Sequence, residues 1–415
     1  MARTARPPST FTPPDVAGSF VIGAGAGRAP DAQRRAGRER AVARAGPATL
    51  VRRLRTSGLL LVLGLALLGA MVAGVVWGAV PVPPGTVVAV VARHLGASWL
   101  VGQLGLPAEW PAAQEAVVWQ LRLPRVLAGA LVGAALATSG ALFQGLFRNP
   151  MADPYVLGIS SGAALGATLV LAVPALPLLG AAPADPGAFW TALTGYGLVP
   201  LAAFAGAIGA ATLVYQLARR GQYLPITDLL LAGFAVAAVL GAATTVLLVM
   251  NDRLLLRLRA VFSWMAGGIA VGSWGQLALA APLIGVGLLL AWLLGRWLDA
   301  FLLGEEGAAT VGVPVEWTKR CVVLVAALLT AAAVTLSGLV GFVGLLVPHA
   351  IRLVVGPSHQ HLLPAAALGG AVFLVLADLL ARTILAPVEL PVGVLTALVG
   401  GPAFLLLLRR SRRRP

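Results

Sequence analysis

The chain has 415 residues, 59% of them hydrophobic and only 11% charged, with a mean hydropathy of +0.91. That is far too apolar for a soluble domain of this length, so the composition excludes a soluble enzyme or binding module and predicts an all-α polytopic membrane protein. The formal net charge is +15, of which the two chain ends hold +13, and the one cysteine, Cys321, excludes an internal disulfide framework.

In chain order, residues 1–56 read as a disordered basic leader. Eleven arginines up to Arg55 are offset only by Asp15, Asp31 and Glu39, among many Pro, Gly and Ala. A polybasic flank beside a membrane span predicts contact with lipid and no nucleic-acid partner. The apolar run after Arg55 exceeds a signal-peptide core. Uncharged stretches come next at 58–80, 126–147, 154–180, 193–218, 229–250, 271–295, 362–381 and 392–408. Each is long enough to cross a hydrocarbon layer of ~30 Å as a helix. The stretch 321–356 is interrupted only by His349 and Arg352, and at 36 residues it is too long for one crossing. The small pair Ser337-Gly338 predicts a reversal there, with Pro348 bending the second limb. The result is ten spans in a domain covering 57–409, with a basic tail at 410–415. Ten is even, and the basic flanks place both termini in the cytosol.

That orientation assigns Arg148, Arg219, Arg220, Arg296, Lys319 and Arg320 to inner loops. Arg93, Arg122, Arg125, Arg253, Arg257, Arg259 and Arg382 fall outside. The short loops therefore carry no positive-inside bias. Two readings account for the outer arginines: snorkelling toward lipid phosphates, or capture of an acidic partner by the bidentate guanidinium fork.

Asp378 stands four residues before Arg382 on one helix face, and its expected role is to neutralise or align that arginine. His349, beside Pro348, reads as a helix-packing histidine. Gly129, Gly133 and Ala137, and then Gly158, Gly162 and Gly166, recur at a spacing that lets helix backbones approach closely. In the loop 298–320, Gly304 and Gly312 bracket a short amphipathic helix with Glu305 and Glu306 near its start. The sole lysine, Lys319, follows no glycine loop, so a phosphate-cradling motif is absent from the sequence. No metal motif and no nucleophile-base set stands out, so the chain is read as neither an enzyme nor a metal or cofactor binder. An ion-coupled secondary transporter is the rival of another class, although apart from Asp378 the spans are bare of acids.

A series of motifs between residues 117 and 408 adds a resemblance: LRLPR, GALVGAALATSGALFQ, RNPMADPYVLGISSGA, FSWMAGGI, LLGEEGAATVGV, GFVGLLVPHAIRLVVG, ADLLAR and ELPVGVLTALVGGPAF. In this order they are similar to the FecCD family of ABC-importer permeases, which move iron-siderophore complexes, haem or cobalamin. The resemblance implies a type II ABC importer permease fold of ten helices in the bacterial cytoplasmic membrane. It also implies a homodimer with two ATP-binding subunits, which carry the ATP and Mg. By the same resemblance an extracytoplasmic binding protein docks on Arg122, Arg125 and Arg382, and an ATPase coupling loop contains Gly304, Glu305, Ala308 and Gly312. Trp264, Gly267 and Gly268, in the external segment 260–272, are the pathway and gate candidates beside the fifth span. A ferric siderophore is the first expected cargo, with haem or cobalamin as alternatives.

Overall fold

The computed structural model describes residues 55–78, 80–172, 197–250, 262–269, 271 and 274–411. Nearly all of the expected leader, most of the tail, and Arg253, Arg257 and Arg259 lie outside the described residues. So do 173–180 and 193–196 of the expected third and fourth spans, and parts of 260–272.

The main helices among the described residues are, in order, α1 (Arg55–Val76), α2 (Pro84–His94), α3 (Ser98–Gln103), α4 (Ala112–Leu146), α5 (Ile159–Ala172), α6 (Leu198–Ala218), α7 (Ile226–Met250), α8 (Trp274–Ala300), α9 (Glu305–Thr310), α10 (Val315–Ser337), α11 (Val343–Val355), α12 (His359–Thr383) and α13 (Val392–Ser411). The described residues form no strand, only an isolated bridge between Arg220 and Tyr223. Seven helices are long and apolar enough to cross a membrane, and α5, α11 and α13 are shorter apolar helices. Each of the ten expected segments therefore contains one apolar helix.

The centre is built on α4 and α10. In their most apolar windows 83% and 78% of the residues are buried, against 17% for α1 and α7, whose leucines and valines stay largely exposed. α4 packs along α12, α10, α11 and α8. Backbones touch where it meets α12, because a Cβ on Gly133 would fall on the carbonyl oxygen of Gly370, and one on Gly370 on that of Gly133. Gly162 on α5 and Gly206 on α6 meet in the same reciprocal way. The small-residue spacing is thus packing, as expected where lipid supplies no hydrophobic force between helices.

The chain reverses after Ser337, where Gly338 takes φ +60 and α10 ends. The second limb differs from a simple full-length span. Its helical part, α11, has 13 residues, or about 20 Å of rise, and the non-helical stretch 338–342 supplies the remaining depth. At the other end of α11, Asp299 from the end of α8 caps α12. Its Oδ1 accepts from His359 N at 2.5 Å, and its Oδ2 from Ser358 Oγ at 2.9 Å. Between α1 and α4, the short helices α2 and α3 form a cap in which His94 stacks on Trp119 at 4.0 Å.

Candidate functional site

The regular α-helical part of α4, Leu123 to Leu146, is 24 residues long. It separates two charged clusters by about 36 Å. At its start Pro124 has no N–H to give the carbonyl four residues back, and Ala116–Arg122 wind as a π-helix. Arg122 leaves this turn pointing at the end of α1. It donates to the carbonyls of Val75 at 3.0 Å, Val76 at 2.9 Å and Val80, and it is 5% exposed. Arg382, 4% exposed, donates to Gly74 O at 3.1 Å from the same helix end. The last carbonyls of a helix have no partners of their own, and two guanidinium groups supply them here.

Asp378 joins this cap to the third arginine. Its Oδ1 accepts from Arg125 Nε at 3.0 Å, and its Oδ2 lies 2.9 Å from Arg382 Nε, an ion pair without aligned hydrogen-bond geometry. Arg125 also donates to Glu389 Oε2 at 2.8 Å, and its side chain keeps 20% exposure. All three arginines and Glu389 line a cavity of about 280 Å³ whose other walls include Val117, Leu121 and Ile269. The three arginines singled out from the sequence thus gather in one place but differ in exposure. Arg122 and Arg382 turn inward to satisfy helix carbonyls, and Arg125 with Glu389 forms the accessible part. Asp378 thus pairs with Arg382 four residues on and with Arg125 from α4. Sequence reasoning misses Glu389 although ELPVG contains it, since its partner lies 264 residues away. Replacing Arg122 by methionine is expected to cost about 1–3 kcal/mol by leaving carbonyls unmet. Thermal unfolding would read the cost, and faster amide exchange would appear at the end of α1.

One turn deeper, three stretches of irregular backbone meet. Gly267 has φ +75 and packs on Leu339 O; Gly268 N donates to Ser337 O at 2.9 Å, and Gly393 N to Gly267 O at 3.1 Å. Tyr155 Oη donates to Val340 O at 3.1 Å. These bonds supply the partners that non-helical backbone needs at membrane depth. Trp264 is half-buried here, and a Cβ on Gly338 would meet its carbonyl oxygen.

At the opposite end of α4, the Arg148 guanidinium lies beside Gly304, the residue ahead of α9. Gly304 and Gly312 take φ +92 and +84 and so bound the short helix with conformations that favour glycine. Ala308 is fully buried. Glu305 pairs with Lys319 at 2.6 Å, and Lys319 also meets Glu316 at 3.0 Å and Leu224 O at 3.4 Å. The singled-out residues thus shape and hold α9, while Leu303, Glu306 and Val311 are exposed around it. Lys319, read from the sequence only as a loop cation, is 3% exposed and ties α9, α10 and the 224 turn together. His349 is half-buried in α11, its Nδ1 buried without a hydrogen-bond partner. Among the described residues no three His, Cys, Asp or Glu side chains gather to hold a metal.

Comparison with known proteins extends these observations. The model of the FecCD transport family matches residues 65–410. The cobalamin import system permease protein BtuC of Halobacterium salinarum is 45% identical over 299 residues, 72% of this chain and 75% of its own. The hemin transport system permease protein HmuU of Yersinia pestis is 43% identical over 311 residues, 74% of this chain and 88% of its own. A solved structure of a metal-chelate type ABC transporter in an inward-facing conformation superposes with a TM-score of 0.66 at 26% identity. That match covers 85% of this chain and 99% of the other. With the match running through all ten apolar helices, this chain belongs to the FecCD transport family.

Proposed function

We propose that this chain is the membrane-spanning permease subunit of an ATP-driven importer, acting as a homodimer with two separate ATP-binding subunits. The observation that carries the reading is the family match through residues 65–410, together with relatives that are permeases for cobalamin and hemin. The cargo is a metal chelate: a ferric siderophore, haem or cobalamin, delivered by an extracytoplasmic binding protein. The chain sits in the bacterial cytoplasmic membrane with both termini in the cytosol, which puts the Arg125 end of α4 outside and α9 inside. ATP and Mg belong to the partner subunits.

In this scheme Arg125 and Glu389 face the binding protein, and Arg122 and Arg382 hold the end of α1 beneath them. The exposed surface of α9, flanked by Leu303 and Val311, lies against the ATP-binding subunit. The glycine-rich meeting point of Gly267, Gly268 and Gly338, beside Trp264, is the hinge region of the pathway. Reconstitution of the chain with its ATP-binding subunits in liposomes tests the reading: uptake of a chelate should require ATP and binding protein. Uptake driven by an ion gradient without ATP would overturn it in favour of a secondary transporter. Docking has its own test in Arg125→Glu. An exposed ion pair contributes only about 0–1 kcal/mol, so uptake should fall several-fold at limiting binding protein, recover at excess, and become less salt-sensitive. Unchanged uptake at limiting binding protein would remove Arg125 from the docking surface.

A further inference from the structure

We infer that a groove between α6 and α10 is a binding site for one anionic phospholipid, its acyl chain in the groove and its phosphate on Arg320. The groove is a cavity of about 320 Å³. Ala211, Thr212 and Tyr215 line it from α6, and Arg320, Leu324 and Ala327 from α10. The spacing of 211, 212 and 215, like that of 320, 324 and 327, places each set on one helix face. The alanines, 6% and 4% exposed, make a floor without bulk, while Leu324 at 68% exposure leaves the side open. Both helices are membrane spans by length and composition, so the open side meets lipid.

The polar end of the groove is cationic. Arg320 donates from Nη2 to Gln222 O at 2.5 Å, but its Nε is buried and has no hydrogen-bond partner. The neighbouring cation Lys319 is committed to Glu305 and Glu316, and no acid is among the described residues that line the groove. Gln222 O takes only one of the guanidinium's outer N–H donors, and a phosphate oxygen at the membrane surface would meet those left over in the geometry that guanidinium favours. Basic pockets between spans that open on an apolar groove have the chemistry of a phospholipid site. The apolar wall commits the site to a lipid, since free phosphate would gain nothing from it. This inference does not depend on the cargo or on the transport cycle.

Native mass spectrometry of the full chain, purified in detergent and mixed with phosphatidylglycerol or phosphatidylcholine, tests it. The wild type should retain phosphatidylglycerol over phosphatidylcholine by about fivefold, the effect of one basic residue near a membrane surface. Arg320→Gln should erase the preference. Thr212→Trp, which fills the groove from an exposed position, should remove the adduct of either lipid. Equal retention of the two lipids by the wild type, or a preference unchanged in Arg320→Gln, would overturn the headgroup assignment. Displacement of the lipid by inorganic phosphate would do the same. Full retention in Thr212→Trp would overturn the groove. So would loss of the dimer in that variant with lipid binding intact, because the groove would then be a contact between two copies. If Arg320→Gln is not recovered folded, Thr212→Trp decides the groove, and the wild-type preference decides the headgroup.

Discussion

A Gly133→Val chain is expected to be recovered unfolded or not at all. α4 and α12 share the most extensive helix contact among the described residues. At its centre a Cβ on Gly133 would fall on the carbonyl oxygen of Gly370 and crowd Ala371 Cα at 3.0 Å. Backbone cannot yield as a flexible side chain can. Even Gly133→Ala should cost on the order of 1–3 kcal/mol by overpacking, and the two further methyl groups of valine have nowhere to go. Gly241→Ala is the matched control. That glycine lies inside α7 with nothing within 4 Å of its added Cβ, so alanine should be neutral or stabilise by up to about 1 kcal/mol through helix propensity. Thermal unfolding followed by size-exclusion fluorescence reads both. A Gly133→Val protein that melts with the wild type would mean that α4 and α12 do not meet at this point.

The second large effect is expected at Lys319. Its ammonium has three donors, and Glu305 on α9, Glu316 on α10 and the Leu224 carbonyl take them. Glu316 in turn accepts from Leu224 N at 2.7 Å. If α9 is where the ATP-binding subunit pushes, this cluster makes α9 move with α10 instead of swinging alone between Gly304 and Gly312. Lys319→Met should therefore lower ATP-driven uptake about tenfold, within the range that single residues on a coupling path reach. The accompanying stability loss should be about 1–3 kcal/mol, because the abandoned carboxylates are partly exposed and can turn to water. Continued ATP hydrolysis with uptake lost is the signature that separates coupling from folding. Partial recovery in Lys319→Arg is expected, since the charge remains while the geometry differs. Uptake and hydrolysis falling in parallel would reduce Lys319 to a structural residue.

Much of the fold is legible in the residues taken one after another. The runs of uncharged residues mark all ten apolar helices, Ser337-Gly338 marks the reversal, and the four-residue spacing of Gly129, Gly133 and Ala137 marks a helix-packing face. These are local properties. Hydrophobic length against a fixed bilayer thickness decides a span, and glycine spacing decides how near a neighbour can come. Less legible is the length of α11, because an apolar run does not reveal where its backbone is extended and where it is helical.

The destinations of the charged side chains need the packed structure. Arg122, Arg125 and Arg382 stand out in the sequence, but their partners lie 42, 46 or 47, 253 or 264, and 308 residues away, apart from Asp378 beside Arg382. Nothing local distinguishes an arginine that docks a partner from one that caps a helix end. Both are uncharged-run neighbours with long side chains, and only the approach of α1 to α4 and α12 makes carbonyl capping the favourable use. Composition and periodicity alone determined a multi-span membrane protein with basic ends. Tertiary structure decided that Arg122 and Arg382 are internal and that Lys319 binds three segments together, because each bond joins atoms that only helix packing brings within reach.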